Sequence, residues 1–447
     1  MLSEFRSRLI TGKAERLLLD TLLERLQEIG VLKKGGRQRT DSTHVLAAVR
    51  TMNRLERVGE TLRAALNSLA VIAPDWLREQ IPVAWFDRYG KRVENYQLPK
   101  TEAARRALAA TMGEDGRTLL AAIEAARERP VLGEVPAVKV LRQVWAEQYL
   151  EAEGKLAWRE IKEMPTPAEM ITSPYDPEAR YSTKRDEEWI GYKVHLTETC
   201  DECAPRLITN VETTPATTPD DNMVEVVHDS LAPRDLLPAE HLVDKGYTGS
   251  KVLVESQRDY GIKIVGPMAD DPSWQARAGE GFDKAQFQVD WDQKVATCPA
   301  GKQSLSWLPN TYLKNGMVWE VRFARKDCTP CPFRSPCTRS KAEPRIIGLQ
   351  TREQYEALQA ARQQQQTEEF QKRYAARAGI ESTHQQAMAR CGLRRSRYLG
   401  LAKTHLQHVI TAVAINVVRL ADWWEGKRPA STRQSHFAAL RPVMVWS

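Results

Sequence analysis

The extended segment RQRTDSTHV (37–45) is cut off from every other strand-like stretch of the chain. From Leu46 to about Ile161 the sequence is rich in Ala, Leu, Glu and Arg, and Pro74, Pro82, Pro99, Pro130 and Pro136 divide it into several helices. The stretch 164–179 holds four prolines and reads as a loop. Only then does the character change. WIGYKVHLTET alternates as a half-buried strand does, and RLITNVETTPA is a second strand. TTPDDNMVEVVHDSL reads as a helix opening behind Asp220 or Asp221, and HLVDKGYTG as a short apolar run ending in an acid and a turn. KVLVESQRDYG reads as helix and IKIVGPM as strand. Ahead of all this, 3–32 reads as one helix broken at Gly35-Gly36; 269–350 reads as irregular, and 351 to about 424 as helical with a break near Gly392. Strand, helical block, strand, strand, helix, strand, helix is the order of a mixed α/β fold with inserted material.

The 447 residues suggest two or three domains, and 42% hydrophobic with 28% charged residues can bury a core. No apolar run approaches the roughly 20 residues needed to span a bilayer, and the first twenty residues hold no signal-peptide core. The net charge of +7 is uneven: residues 371–447 carry thirteen Lys and Arg against three acids, which leaves the remainder slightly acidic. Such a basic end suits a polyanion, nucleic acid above all; the plainer reading is a solvated helical face.

Three acids stand out. Asp41 lies in the isolated extended segment, Asp244 follows the apolar Leu242-Val243, and Glu381 follows Tyr374 and Arg377 at offsets of 7 and 4. Acids at strand ends hold oxygen in the rigid geometry a hard cation demands. The helical offsets put tyrosine, arginine and glutamate on one face. Two divalent ions about 4 Å apart, held by carboxylates, suit phosphodiester displacement; each acid alone is equally an ordinary surface residue, and Arg377–Glu381 an ordinary ion pair.

Seven cysteines, an odd number without a signal peptide, argue against a disulfide scaffold. KDCTPCPFRSPC sets Cys328 and Cys331 with two residues between them and Cys337 six positions further on, and Cys298 is a distant fourth. Four thiolates suit a structural Zn²⁺; reduced free thiols in a loop are the alternative. Cys200 and Cys203 form an incidental pair that could in principle share a site with Cys328 and Cys331, and Cys391 reads as a small core residue. Trp423-Trp424 read as core packing, and His195 and Lys193 as structural more than DNA-contacting.

Together, GRQRTDSTHVLAAVRTMNRLE, GYKVHLTETCD, LITNVETT, HLVDKGYTG and GIESTHQQAMARCGLRRSRYLGLAKTHLQHV resemble bacterial insertion-sequence transposases of the DDE class. That resemblance implies an RNase H-like α/β core, a mixed sheet flanked by helices. It implies the triad Asp41, Asp244 and Glu381 holding two Mg²⁺ (or Mn²⁺) ions, and a helix signature on Tyr374, Arg377 and Glu381. The signature's lysine falls on Met388, so its role passes to Arg390. Arg394, Arg395, Arg397 and Lys403 extend a phosphate track with Tyr398 for stacking. The implied organisation is an N-terminal helical remnant over 1–36 and one catalytic domain over 37–447. A helical insertion (45–170) and a zinc-type insertion (268–345) interrupt that domain, and basic helices (371–447) close it. The implied partners are element-end and target DNA, with a homodimer or larger assembly at synapsis, in the bacterial cytoplasm at the nucleoid. The expected chemistry is DNA cleavage followed by strand transfer. Only 40 residues precede Asp41 where the family carries more, which implies weak recognition of element ends. The alternatives are a DNA-binding fragment without catalysis and a nuclease of the same fold.

Overall fold

A computed structural model describes residues 2–152, 154–184, 186–202, 204–310, 318–427 and 440. Its centre is one mixed sheet of six strands: β1 (Arg37–Leu46), β2 (Arg180–Lys184), β3 (Glu187–Thr199), β4 (Ile208–Pro215), β5 (Glu240–Val243) and β6 (Lys263–Val265). The isolated segment becomes the central strand. β1 pairs antiparallel with β3 on one side and parallel with β5 on the other, and β5 continues parallel to β6. The outer edge of the long β3 is shared, with β2 on its first part and β4 on the rest.

β1 is polar yet buried, so its side chains must find partners inside the protein. Thr40 Oγ1 lies 2.7 Å from Thr197 Oγ1 and 2.6 Å from His241 Nε2, and Gln38 accepts from Thr209 Oγ1 at 2.6 Å. Cross-strand polar pairs of this kind fix register as well as any apolar stripe.

The longer helices are α1 (Leu17–Glu28), α2 (Arg54–Ile72), α3 (Glu102–Ala125), α4 (Pro136–Gln148), α5 (Met223–Leu231), α6 (Ser250–Tyr260), α7 (Arg352–Gln364), α8 (Gly379–Cys391) and α9 (Leu401–Trp424), of which α1 and α9 cover the sheet and α2, α3 and α4 form a lobe of their own. Leu19, Leu23 and Leu26 of α1 and Val409, Ala412 and Ile415 of α9 join Val194, Leu196 and Val211 in one core. Asn416 of α9 fixes that packing laterally, because its side chain both donates to Ile208 O and accepts from Ile208 N, each at 2.8 Å.

Between β1 and β2 the chain builds a helical lobe with its own core, where Leu62, Leu69, Leu119, Leu141, Val144 and Trp145 are buried. Asn53 opens α2 with a capping box to Glu56. The helical reading of this region runs too far, since Tyr149–Ala152 and Lys155–Trp158 form an antiparallel hairpin. Packing of Tyr149 against Trp158, 5.1 Å between ring centroids, overrides the local helical composition. The single N-terminal helix is likewise two, Leu2–Thr11 and Leu17–Glu28; Lys13 turns between them at positive φ.

The stretch read as irregular holds regular strands among its described residues. Gln288–Asp290 pairs with Val295–Thr297, and Ser304–Pro309, Trp319–Phe323 and Ile346–Leu349 form a three-stranded antiparallel sheet. Phe287, Val321, Phe323, Ile347 and Leu349 make its core. Trp423 and Trp424 do not pack the interior as expected: both are exposed, because the last turn of α9 extends past Leu420, the end of its buried face. Among the described residues, no helix is long and apolar enough to cross a membrane.

Candidate active site

The sheet register brings together acids that are far apart in sequence. In the parallel pair β1–β5, Thr40 stands opposite Val243, so the next residues, Asp41 and Asp244, lie at the same level. Asp244 ends its strand as expected, but Asp41 is in the middle of β1, which runs on beside β3 to Leu46. Asp41 Oδ1 accepts the Ser42 N–H at 2.8 Å, and Asp244 caps a short 3₁₀ turn by accepting the Gly246 N–H at 2.8 Å. Glu381 arrives from the first turn of α8, at the end of the run that begins with the helix Glu368–Tyr374 and passes through a 3₁₀ segment, Ala375–Ala378.

Arg377, on that 3₁₀ segment, stands among all three. Its guanidinium is 2.7 Å from Asp41 Oδ2, 3.8 Å from Asp244 Oδ2 and 3.7 Å from Glu381 Oε1. The Asp41 and Asp244 side chains are 12% and 29% exposed and that of Glu381 is 69% exposed, so the cluster opens to solvent on the α8 side. Burial pushes the Asp41 carboxyl up to about 6; Arg377 opposes that shift and the neighbouring Asp244 adds to it. Burial also raises Tyr374, whose ring stacks on Phe370.

Beneath the acids lies a polar floor. Tyr247 Oη is 2.6 Å from His195 Nδ1, and His195 Nε2 is 3.2 Å from Thr214 Oγ1. Burial drives His195 down to about 3 and Tyr247 well above its ordinary value, so both are neutral. His195 is therefore an internal support, and Lys193 is held by Asp220 at 3.0 Å and Thr218 O at 2.8 Å. Asp220 is a fourth carboxylate here, 3.4 Å from Ser42 Oγ. In sequence it reads only as a helix opener, and nothing in TTPDDN marks it out.

A second group that sequence reading missed holds α8 in place. Glu198, on β3, is fully buried and accepts from Arg39 Nε at 2.8 Å, Thr383 Oγ1 at 2.6 Å and Arg419 Nη1 at 2.6 Å. Burial alone would raise this carboxyl; Arg419, Arg39 and Thr383 together outweigh it and hold it below the usual range. Arg39 also donates to Ala376 O, one residue before Arg377, and its guanidinium lies against Gly379, where a Cβ would collide with it.

The basic residues divide between two faces. Arg394 bonds Thr43 Oγ1 at 2.8 Å, two residues beyond Asp41, while Leu46 N donates to Arg394 O and Ser396 N to Leu46 O. Arg395 and Lys403 are exposed. Met388 packs against the sheet core. Arg390, nine residues after Glu381 on α8, lies about half a turn round the helix from it, and it lines a separate cavity with Arg397 and Cys391. The expected substitute for the signature lysine is thus not brought to the acids, and Cys391 is a half-buried cavity wall rather than a core residue. Arg428, Arg433 and Arg441 of the basic end lie outside the described residues.

Cys298, Cys328, Cys331 and Cys337 line one cavity of about 30 Å³, and burial, with the other three thiols adding, raises the Cys337 thiol. Cys200 is elsewhere, packed with Leu242, Val265 and Phe370, which separates it from that cavity; Cys203 lies outside the described residues. Among the described residues no three His, Cys, Asp or Glu side chains close tightly enough to hold a metal ion. Around Arg377 the reason is plain, since a guanidinium stands between the carboxylates.

Residues 297–421 match a family model described as Transposase DDE domain. This supports a DDE transposase, a nucleic-acid-processing enzyme whose partner is DNA. The matched stretch, under a third of the chain, holds the four cysteines, Arg377 and Glu381 but neither aspartate. No curated protein matches the chain.

Two outcomes are expected. Asp41 carries a folded pKa of about 6, above the roughly 3.9 of an unfolded aspartate. Its protonated form therefore favours the fold at low pH, and that contribution is lost as pH rises through about 6. Asp41→Asn, uncharged throughout, should be more stable than the parent above pH 6, by on the order of 2 kcal/mol, with no advantage near pH 4. Urea unfolding in EDTA across this range measures it. Glu198→Ala should cost about 3–5 kcal/mol by stranding the buried Arg39 guanidinium and leaving the half-buried Arg419 without its acid, whereas changing Arg39, Glu198 and Arg419 together to Met should recover most of that. A loss below about 1 kcal/mol for Glu198→Ala would show that the network does not hold α8.

Proposed function

We propose that this chain is an insertion-sequence transposase of the DDE class that cuts DNA at element ends and joins the freed 3′-OH to target DNA. The observation carrying this reading is the convergence of Asp41, Asp244 and Glu381 on one guanidinium, on elements of which α8 falls inside the matched transposase stretch. The strand order supports an RNase H-like core: β1 is central, antiparallel β3 lies on one side and parallel β5 and β6 on the other. In this reading the helical lobe and the cysteine-bearing sheet are the two insertions, and a homodimer or larger assembly forms at synapsis.

Hard oxygen donors from the middle of β1, the end of β5 and a helix fit Mg²⁺ or Mn²⁺ once Arg377 withdraws from among them. Asp41, Asp244 and Glu381 would hold two such ions, which when bound activate an attacking oxygen and neutralise a leaving one. The chain's own residues do the rest. Arg377, released from Asp41, is placed to fork onto a phosphate, and Tyr374 offers its neutral hydroxyl beside it. Arg394 meets the backbone at the β1 end, while Arg395 and Lys403 extend the positive surface. Tyr247 and His195, both neutral and mutually bonded, keep the floor rigid and uncharged beneath the acids.

Metal-dependent nicking of element-end DNA tests the proposal. Asp41→Ala, Asp244→Ala and Glu381→Ala should each lower nicking by about 10³-fold or more; three active variants would discard the triad. A strand-transfer assay on pre-nicked ends separates a transposase, which joins, from a nuclease, which does not.

We also propose that the four cysteines hold a structural Zn²⁺. The support is that all four thiols line one cavity; they would have to draw together to hold the ion, since among the described residues no three such groups close tightly enough. Elemental analysis should find about one zinc per chain, lost in Cys328→Ser/Cys331→Ser together with several degrees of Tm. A zinc-free parent of undiminished stability would refute it.

A further inference from the structure

Behind α8, on the side away from the three acids, three arginines from separate parts of the chain meet at one cavity of about 270 Å³. Arg6 comes from the N-terminal helix Leu2–Thr11, Arg390 from the last turn of α8, and Arg397 from the turn leading into α9. Tyr398, Gln407 and Thr411 complete the polar wall, and Leu406 and Ile410 the apolar one; no carboxylate lines it. The cluster is built. The Arg6 guanidinium lies 4.3 Å above the Tyr398 ring, Gln407 accepts the Arg397 N–H at 2.9 Å and donates to Arg395 O at 2.9 Å, and Arg397 Nη2 is 3.5 Å from Cys391 O. Among the described residues none of the three guanidiniums forms an ion pair, although Arg373, Arg377 and Arg419 elsewhere in the basic end of the chain are each matched to an acid.

Three cations held together without an acid repel one another, and an anion between them removes that cost. Guanidinium forks with neutral amide and hydroxyl groups are the donor set for a phosphate. We infer that this cavity binds a backbone phosphate of DNA distinct from the one being cut. The inference rests on the DNA reading above and adds a second anchoring point to it. Arg390 follows Glu381 by nine residues, about 14 Å along the axis and half a turn around it. A strand held here has therefore passed round the helix rather than across the acids.

Fluorescence anisotropy of a labelled 30-base-pair duplex, read against salt with the full chain, tests it. Arg6→Ala/Arg397→Ala should weaken binding about tenfold near 150 mM salt and lower the log–log salt slope by about 2. Arg6→Gln/Arg397→Gln should behave alike, and unchanged thermal melting excludes misfolding. Arg78→Ala/Arg117→Ala, which removes equal charge from the helical lobe, should leave the slope unaltered. Equal affinity and slope in parent and cavity variants would overturn the inference alone. A parent that binds no duplex would remove the DNA reading itself. Inorganic phosphate at constant ionic strength is the last arm: if it stabilises the parent but not the variants while duplex binding is unaffected, the occupant is a free anion and the proposal fails.

Discussion

The buried carboxylate of Glu198 is the joint on which the site turns. It sits on β3, yet through Arg39 it reaches β1 and the 375–378 segment, through Thr383 it reaches α8, and through Arg419 it reaches α9. One anion thus ties four elements whose sequence positions span most of the chain. Two guanidiniums on a single buried carboxylate are a poor source of net stability, because desolvating three charges costs about as much as their attraction returns. What such a group does impose is position. An apolar contact tolerates an ångström of slip, whereas these bonds fix the direction from which α8 starts, and hence where Arg377 and Glu381 stand. Gly379 belongs to the same constraint, since any side chain there would displace the Arg39 guanidinium.

The sheet supplies the other half of the geometry. Parallel pairing of β1 with β5 makes two carboxylates end side by side without any contact between the segments that carry them in sequence. That arrangement is costly. Asp41 is buried beside a like charge and is raised to about 6, so near neutral pH the fold carries a strained ionised group. The surroundings that tolerate it are polar but neutral. Tyr247, His195, Thr214 and Ser42 accept and donate without adding charge, and Lys193 is matched to Asp220 rather than left near Asp41. Stability for the rest comes from two remote cores, the α1–α9 layer over the sheet and the helical lobe.

Much of this was legible in sequence, for reasons that differ by residue. The strand before Asp244 shows because a short apolar run ends in an acid, and α8 shows because its helical pattern is long. Asp41 reads as the end of its segment but lies in the middle of β1, because β3 pairs with the polar residues that follow it. The hairpin at Tyr149 and Trp158 does not show, because its residues are compatible with helix and only ring packing decides. WEVRF in the cysteine region alternates as a strand should, and the surrounding Trp, Pro and Cys obscured it. Glu198 and Asp220 look like surface acids in a chain that has 58 of them. Their roles come from what the fold brings opposite them, and no local pattern encodes that. The exposed Trp423 and Trp424 mark the converse limit, since apolar character does not say where a helix outruns its core.

Arg377 explains why the three acids can converge at all. Carboxylates a few ångströms apart repel, and a site assembled from them alone would favour any movement that separates them. A guanidinium bonded to Asp41 and close to Asp244 and Glu381 supplies the counter-charge from within the chain. It is also well suited to giving way. The Arg377 side chain is mounted on a 3₁₀ segment rather than mid-helix, and its Nε has no hydrogen-bond partner among the described residues. The guanidinium is anchored at its tip alone, by the acids themselves. Anything that neutralises those acids removes the ion pairs it makes among the described residues and frees a fork of donors at the mouth of the site, where Glu381 is open to solvent. The same interaction that holds the resting cluster together therefore prepares the cation that would next meet a phosphate.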